Sequence, residues 1–233
     1  MKNVPLIVIQ CRINSKRLPF KALYPIAGIP LIVFLFKRLK NTLDSRDYRL
    51  VLATTKKQED DILAYWAQEE KIDVIRGQED NVVSRYNDCL DIFDSDIVVR
   101  VTGDNPLTCP NIIKFIIDEM IRLSVDYIQP IDIPYGVGAE VYSSQLIRSL
   151  NTKKLNKEEK EHLNLNIINN PDIYLPVFCK INENISRPDI RLTVDTKEDW
   201  ECINALFTEK EKEQSPWKLS LLEIIKRVDK NAI

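Results

Sequence analysis

The alternation of short apolar runs with helical patterns constrains the fold of this chain more than any other feature of its sequence. Short apolar runs lie at residues 4–9, 48–54, 73–75, 96–101 and 126–129. Segments with helical spacing separate these runs. Strands that are joined through helices form right-handed crossovers, which lay the strands parallel in one sheet. The pattern therefore predicts an α/β fold with a mainly parallel sheet.

The predicted helices begin at residues that favour such positions. A helix is expected to start at Pro30, because proline fits the first helical position. Asn81 is suited to cap a helix at 81–93, and Pro110 opens a helix that runs to about residue 123. Further helices are predicted at 58–70, 197–213 and 219–230.

The regular alternation ends at Pro130. Residues 130–140 contain several prolines and glycines, which favour loops. A charged helical stretch follows at 143–169, and a strand is predicted at 174–181. A last strand at 190–194 is expected to return to the main sheet. We therefore expect one domain over residues 1–233, with a small α+β sub-domain inserted at 130–185.

A group of cations follows the first predicted strand. Arg12, Lys16, Arg17 and Lys21 are spaced too irregularly for one face of a helix, so residues 11–21 are predicted to form a cationic loop. Open α/β sheets bind ligands at the carboxyl ends of their strands. Grouped cations there fit an anion such as a triphosphate, although a solvated basic loop is the alternative. The net charge of −2 argues against a general nucleic-acid-binding protein.

Two aspartates follow predicted strands at the same edge of the sheet. Asp104 comes shortly after the strand at 96–101, and Asp195 comes directly after the last predicted strand. Both carboxylates are therefore expected in the cleft that contains the cationic loop. The alternatives are an ordinary turn residue for Asp104 and a helix cap for Asp195. The Asp-Ser-Asp sequence at 94–96 precedes its strand, so we interpret it as a surface turn at the opposite edge.

The five cysteines favour reduced thiols. Their number is odd and no two form a Cys-x-x-Cys pair, which fits neither a disulfide framework nor a zinc site. The beginning of the sequence lacks the long apolar region and cleavage site of a signal peptide. The longest apolar stretch, at 29–36, is too short to cross a membrane. We therefore expect a cytoplasmic protein without a membrane segment.

Five segments carry a resemblance to a known family. The cationic loop contains Arg-x-x-Ser-x-Arg-Leu-Pro-x-Lys at 12–21. Four others follow in order: Arg-Gly-x-Glu-Asp-Asn-Val-Val-x-Arg-Tyr at 76–86, Arg-x-Thr-Gly-Asp-Asn-Pro-Leu at 100–107, Glu161-His162, and Arg-Leu-Thr-Val-Asp-Thr-x-x-Asp at 191–199. Together they resemble the cytidylyltransferases that activate acidic sugars such as sialic acid and 3-deoxy-manno-octulosonate, and most of all the spore-coat polysaccharide biosynthesis branch. Phe20 stands where the family usually has glycine, so another turn, or a different approach of the backbone to the phosphates, is expected.

The resemblance implies a fold, a reaction and an assembly. The fold is the three-layer Rossmann-like fold of the nucleotide-diphospho-sugar transferases. In the implied reaction a sugar hydroxyl attacks the α-phosphorus of CTP, and pyrophosphate leaves. Mg²⁺ is the implied cofactor, and CTP and a small acidic sugar are the implied partners, without nucleic acid. A homodimer joined through the sub-domain at 130–185, which also shapes the sugar pocket, is implied as well.

Carried onto this sequence, the resemblance assigns roles to single residues. Lys21, Arg12 and Asp104 are expected to be catalytic, and Asp104 and Asp195 to bind Mg²⁺. Glu140 and His162 are expected beside the sugar. The expected nucleotide-binding residues are Arg12, Ser15, Arg17, Lys21, Arg76, Asn81, Arg85 and Asp104. The group that reads the base is not identified by the sequence.

Two alternatives remain open. The same fold could use another nucleoside triphosphate, or a phosphorylated or non-sugar acceptor. The pyrophosphorylases of neutral sugar 1-phosphates typically start with a glycine-rich loop, whereas here only Gly28 precedes residue 77. The other alternative is a catalytically silent nucleotide-sugar-binding protein, against which the retained aspartates and Lys21 argue. A lone histidine such as His162 is, moreover, often only structural or exposed.

Overall fold

A seven-stranded sheet forms the centre of the part of the chain that the structure, a computed structural model, describes, namely residues 4–181, 183–207 and 215–231. The strands of the fold are β1 (Leu6–Gln10), β2 (Pro25–Ile26), β3 (Ile29–Pro30), β4 (Arg49–Thr55), β5 (Asp73–Gly77), β6 (Ile97–Thr102), β7 (Tyr127–Ile131), β8 (Glu140–Ser143) and β9 (Val177–Lys180). The sheet order is β5-β4-β1-β6-β8-β7-β9, while β2 and β3 form a separate short ribbon. Four of the six pairings in the sheet are parallel, so the predicted α/β fold with a mainly parallel sheet is confirmed.

The helices that connect the strands lie close to their predicted positions. They are α1 (Leu31–Thr42), α2 (Asp61–Glu69), α3 (Val82–Ile92), α4 (Pro110–Leu123), α5 (Ser144–Asn151), α6 (Lys157–Glu161), α7 (Leu165–Asn169), α8 (Pro171–Tyr174), α9 (Lys197–Ala205) and α10 (Leu221–Asn231). Asn81 caps α3 by accepting a hydrogen bond from Ser84 N at 3.0 Å. α9 is shorter than the predicted helix at 197–213, of which residues 208–213 lie outside the described residues. None of the described helices is long and apolar enough to span a membrane.

The sheet is buried on both faces. Along β1, Ile7 and Ile9 pack in one cluster with residues of α1 and α4, and Leu6 and Val8 pack in another with residues of α3 and α5. Helices on both faces explain why β1 is a continuous apolar run and not an alternating one. The polar chemistry is therefore left to the loops at the strand ends.

One strand of the central sheet, β8, was not predicted from the sequence, nor were the two short strands of the ribbon, β2 and β3. β8 runs antiparallel between β6 and β7. The strand predicted at 190–194 is wrong, because this segment forms only an isolated bridge, between Arg191 and Tyr135, and joins no strand of the sheet. The segment is bonded to loops instead: Leu192 N donates to Tyr135 O at 2.7 Å, and Val194 N donates to Asp104 O at 2.9 Å.

Gly136 allows the loop after β7 to pack directly on this segment. It has a φ of +95°, and a Cβ atom there would lie 2.8 Å from backbone atoms of Leu192 and Thr193. Glycine reaches this φ without strain and has no Cβ to collide. The loop at 132–139 and the segment at 190–195 therefore form one layer above the carboxyl end of the sheet.

Residues 130–185 share their strands with the central sheet. β8 lies inside the sheet, and β9 forms its edge, parallel to β7. Helices α5 and α7 pack in the same buried cluster as α3 through Ile147 and Ile167, and Leu163, just after α6, joins the cluster. This packing carries the end of α6, with Glu161 and His162, to the cleft beside the cationic loop.

Candidate active site

The cationic loop, residues 11–21, folds around the peptide of Ile13. The Ile13 side chain is buried, and its carbonyl oxygen accepts hydrogen bonds from Ser15 N at 3.0 Å and from Phe20 N at 3.2 Å. Phe20 has a φ of +59°, in the left-handed region that glycine adopts at the least cost. Its ring is 55% exposed, so the side chain does not compensate by packing. Residue 20 therefore has a backbone conformation that glycine adopts readily, although phenylalanine stands there.

The cationic loop ends at Lys21, whose ammonium joins two carboxylates. Lys21 Nζ lies 2.7 Å from Asp104 Oδ2 and 3.0 Å from Asp195 Oδ1, and it donates to Val194 O at 2.9 Å. The Lys21 side chain is only 12% exposed. Two aspartates that are distant in the sequence thus meet in one cleft, around one cation.

Asp195 is the more enclosed of the two aspartates. Its side chain is 8% exposed, and it also contacts Arg17 Nη2 at 2.7 Å and Arg191 Nη2 at 2.9 Å. Burial raises the pKa of Asp195, but the hydrogen bonds and charges of Lys21 and the two arginines outweigh burial and hold the pKa below its usual value. Arg191 is fixed in turn by Asp199, at 2.8 Å. Asp195 is therefore a firmly held anion.

Asp104 follows a tight contact between β6 and β1. A Cβ atom on Gly103 would lie 2.5 Å from Cys11 Sγ, so only glycine permits this approach. Gly103 N donates to Gln10 O at 2.8 Å, which continues the pairing of the two strands. Burial first, and then the charges of Asp104 and Asp60, raise the pKa of the Cys11 thiol to about 12. The thiol stays protonated and is not an effective nucleophile.

A cavity of about 310 Å³, here the first cavity, opens between the cationic loop, the end of β6 and the end of α6. The predicted site residues that line it are Arg12, Ser15, Arg17, Lys21, Arg85, Asp104 and His162. Arg12 links its walls, with Nη2 at 2.9 Å from Glu161 Oε1 and Nη1 at 3.5 Å from Glu79 O. Such a cation-rich lining suits a ligand that carries phosphate groups.

Arg85 is a buried cation in the wall of the first cavity. The residue is 1% exposed, and its Nε and Nη1 atoms have no hydrogen-bond partner. Burial lowers the pKa of Arg85. Gly77 makes room for it, because a Cβ atom there would lie 2.6 Å from Arg85 Cγ. A buried donor without a partner costs about 1–3 kcal/mol, so these two donors are left unsatisfied at a cost in stability.

A second cavity, of about 620 Å³, adjoins the first. The residues common to both linings are Arg17, Arg100, Thr102, Asp104 and His162. Glu140 and Asp195 line only the second cavity. Asp104 and His162 therefore stand where a ligand in one cavity would meet a ligand in the other.

Glu140 belongs to a polar network beside the second cavity. Its Oε2 lies 2.9 Å from Arg100 Nη1 and accepts from the Tyr142 hydroxyl, and its Oε1 accepts from Asn164 Nδ2 at 2.9 Å. Burial lowers the pKa of Arg100, but Glu140 and the neighbouring tyrosines raise it by a larger amount. The pKa of Arg100 therefore lies well above its usual value. Glu140 thus orients Arg100 and Asn164, which line the second cavity themselves.

Two predicted nucleotide-binding residues line neither cavity. Arg76 donates to Thr55 O at 2.7 Å and to Lys57 O at 2.6 Å, and it pairs with Asp61. Asn81 is occupied as the cap of α3. Arg76 therefore ties β5 to the end of β4 and to α2, and Asn81 supports the start of α3, which carries Arg85.

Three residues near the site received no role from the sequence. Arg100 had a usable signal, because a cation inside an apolar strand needs a buried partner. Arg191 stands four residues before Asp195, a spacing that allows an ion pair. Asp60 had no such signal, since its partners lie on other segments of the chain.

Asp104 and Asp195 remain the candidate metal ligands. No group of three or more His, Cys, Asp or Glu side chains in the described ranges is arranged to hold a metal ion. Mg²⁺ needs fewer protein ligands where substrate phosphates complete its oxygen shell. The two carboxylates around the Lys21 ammonium offer the oxygen donor atoms that a cation of this kind prefers.

The mainly parallel sheet, the cationic loop after β1 and the paired aspartates at the carboxyl edge define a nucleotidyltransferase of the Rossmann-like type. More particularly, the chain belongs to the cytidylyltransferase family, whose model matches residues 6–227. The family resemblance carried by the sequence motifs is thereby confirmed.

Curated relatives agree with this family. Spore coat polysaccharide biosynthesis protein SpsF of Bacillus subtilis (strain 168) is 33% identical over 205 residues, which cover 87% of this chain and 85% of that protein. The 3-deoxy-manno-octulosonate cytidylyltransferase of Haemophilus influenzae (strain PittGG) is 26% identical over 148 residues, or 63% of this chain and 57% of that protein.

Solved structures share the fold. A cytidylyltransferase from Leptospira borgpetersenii serovar Hardjo-bovis (strain JB197) matches with a TM-score of 0.85 at 24% identity, covering 100% of this chain and 95% of that one. CMP:2-keto-3-deoxy-manno-octonic acid synthetase in complex with CTP matches with a TM-score of 0.67 at 17% identity, covering 87% and 98%. At these identities the likeness concerns the fold alone.

Proposed function

We propose that this protein transfers a cytidylyl group from CTP to a hydroxyl of an acidic sugar and releases pyrophosphate, in the synthesis of a surface polysaccharide or glycan. The observation that carries the proposal is the position of Lys21 between Asp104 and Asp195, where the two cavities adjoin. The family and the named relatives support cytidylyl transfer.

In this proposal the two cavities hold the two substrates. CTP occupies the first cavity, with its phosphates among Arg12, Ser15, Arg17 and Lys21. The sugar occupies the second cavity, so that its hydroxyl reaches the α-phosphorus near Asp104. Pyrophosphate leaves on the side opposite to the attacking oxygen. Phosphoryl chemistry of this kind depends mainly on positioning and charge neutralisation, so no nucleophilic side chain is needed.

Charge balance in the cleft supports a magnesium-dependent reaction. Asp104 and Asp195 would hold Mg²⁺, which supplies charge neutralisation at the phosphates when it is bound. Lys21 now neutralises the same two carboxylates. With a bound cation neutralising the two carboxylates, the Lys21 ammonium would be free to stabilise the charge that develops on the departing pyrophosphate.

The base and the sugar are assigned to residues that face the cavities. Arg85 offers unpaired guanidinium donors to the nucleotide, and cytosine presents acceptors at O2 and N3. His162 lies at the junction of the cavities and contacts the sugar, while Glu140 acts by holding Arg100 and Asn164 toward it.

Exposed apolar side chains support the homodimer that the family resemblance implied. Ile173 is 68% exposed, Leu175 73% and Phe178 44%, all on or beside the edge strand β9. A two-fold interface is self-complementary, so one such patch suffices. Light scattering at micromolar concentration should give twice the chain mass of 27.1 kDa, and a mass of 27.1 kDa would exclude the dimer.

A matrix of substrates tests the proposed activity. The purified protein is mixed with each of the four nucleoside triphosphates and with a panel of nonulosonic acids, octulosonic acids and phosphorylated alcohols, with and without Mg²⁺, and pyrophosphate release is followed. We expect release only with CTP, an acidic sugar and Mg²⁺ together. Release with another nucleotide or acceptor would correct the substrate, and CTP binding without release under any condition would favour a silent binding protein.

A further inference from the structure

Asp60 is a buried carboxylate beside the cationic loop. It is 3% exposed and directly precedes α2, where an aspartate usually caps the helix by accepting from a backbone N–H of its first turn. Here the side chain makes no such bond. Its Oδ1 accepts from Ile13 N at 2.8 Å, and its Oδ2 accepts from Thr55 N at 3.1 Å and from the Thr55 hydroxyl.

The Ile13 peptide is the centre of the cationic loop. Its N–H donates to Asp60, and its carbonyl accepts from Ser15 N and from the strained Phe20 N. Among the side chains of the described residues, Asp60 is the one that accepts a hydrogen bond from the backbone of residues 12–20. Asp60 therefore ties the middle of the loop to the end of β4, through Thr55.

We propose that Asp60 is a positioning residue for phosphate binding, which acts through the Ile13 peptide to hold the cationic loop in the shape that directs its cations into the first cavity. The inference rests on the proposed function, in that the loop binds the phosphates of a nucleotide. A charge-assisted bond to a buried N–H is stronger than a neutral one, and its loss leaves that N–H unsatisfied. Without it the loop loses the anchor around which Ser15 and Phe20 fold.

Substitutions of Asp60 and Thr55 separate the bond of Asp60 to Ile13 from its bonds to Thr55. Asp60→Asn removes the charge, and an amide cannot accept at both of its ends, so the bond to Ile13 is either lost or left without its charge. Thr55→Val removes the hydroxyl donor at the same buried site and leaves the bond to Ile13. Glu59→Gln is the control for charge, because Glu59 directly precedes Asp60 in the sequence and is exposed.

The test compares affinities along a phosphate series. Calorimetry of cytidine, CMP, CDP, CTP and inorganic pyrophosphate with the full-length protein measures how much each phosphate contributes to binding. For Asp60→Asn we expect cytidine to bind within about twofold of wild type, and CTP and pyrophosphate roughly 10- to 100-fold more weakly. Thr55→Val is expected to lower Tm but to keep the wild-type gain in affinity with each added phosphate, and Glu59→Gln is expected to change neither.

Several outcomes would overturn the inference. One is wild-type affinity of Asp60→Asn for CTP and pyrophosphate, and another is an equal loss of cytidine and CTP affinity in that variant. A third is a loss of phosphate affinity in Thr55→Val as large as in Asp60→Asn, and a fourth is the absence of any gain in affinity with added phosphates in wild type. Amide exchange in wild type is an independent check that needs no variant to fold: the Ile13 amide should be protected as strongly as the amides of β1, and a rapidly exchanging Ile13 refutes the anchor. A phosphate series that appears with GTP or UTP instead of CTP would overturn the proposed nucleotide and leave the role of Asp60 intact.

Discussion

Lys21→Ala separates a role in the transition state from a role in nucleotide affinity. The ammonium lies within 3.0 Å of both aspartates, in a side chain that is 12% exposed, so its charge is poorly screened by water. Removing one preorganised contact to developing charge typically costs about 10²- to 10³-fold in kcat, or about 2.7–4 kcal/mol. Arg12 and Arg17 still line the first cavity and retain CTP. We therefore expect kcat to fall by about that factor and KM for CTP to change less than about tenfold.

The assay is steady-state pyrophosphate release over a range of CTP concentrations at saturating Mg²⁺ and sugar. Lys114→Ala is a matched control, because Lys114 also donates to a backbone carbonyl, Thr42 O at 2.9 Å, but lines neither cavity. The control carries the same change of charge and should keep the wild-type kcat. Asp195 keeps two arginine partners in Lys21→Ala, so the variant should remain folded by circular dichroism.

The opposite kinetic pattern would refute this reasoning. If Lys21→Ala raised KM for CTP by 10²-fold or more at an unchanged kcat, Lys21 would bind the ground state and the transition state equally. A kcat loss of equal size in Lys114→Ala would show that the effect is one of general charge.

The remaining predictions concern the metal pair, the turn and acid stability. Asp104→Asn should lower turnover by at least about 10²-fold with little change in Tm, since the Asp104 side chain is 28% exposed. Asp195→Asn should lower both turnover and Tm. Wild-type turnover in Asp104→Asn would exclude a metal role for this residue. Phe20→Gly should raise Tm by roughly 1–4 °C in calorimetry, because left-handed backbone costs phenylalanine about 1 kcal/mol or more and the ring is largely exposed; a lower Tm would mean that the ring packs. The bonds from Arg191 lower the pKa of Asp199 from 3.8 to about 2, so its contribution to stability is complete above the unfolded value and disappears as the pH falls toward 2. Asp199→Asn should accordingly flatten the fall of the urea midpoint between pH 6 and pH 3, and an unchanged slope would contradict this assignment.

The sequence predicts those parts of the fold whose signals are local. The cap at Asn81 and the apolar run of β1 are examples, since each depends on neighbouring residues. β8 is only four residues long, and the sequence analysis placed its last residue, Ser143, in a helix. The segment at 190–194 has buried apolar residues in alternation, as a strand does, but its one bridge is to Tyr135 in a loop, which no local pattern indicates.

The sequence predicts at which edge of the sheet the candidate site lies, but not which side chains contact one another there. The positions of Asp104 and Asp195 after predicted strands indicated one cleft, although the segment before Asp195 is not a strand. That Lys21 stands between them depends on segments 83 and 174 residues away, which no local pattern encodes. The unpaired donors of Arg85 likewise follow from close packing against Gly77, a contact between elements.

The layer formed by the loop at 132–139 and the segment at 190–195 limits how a change of substrate could evolve. The loop lines the second cavity, and it touches the segment that carries Asp195 with no room for a Cβ at Gly136. Val194 N is bonded to Asp104 O at 2.9 Å, so the two aspartates share one backbone link. Variation in the loop that suits a new acceptor therefore also displaces the carboxylates. A chimaera that gains a new substrate should therefore keep its turnover only when the loop and the segment are exchanged together.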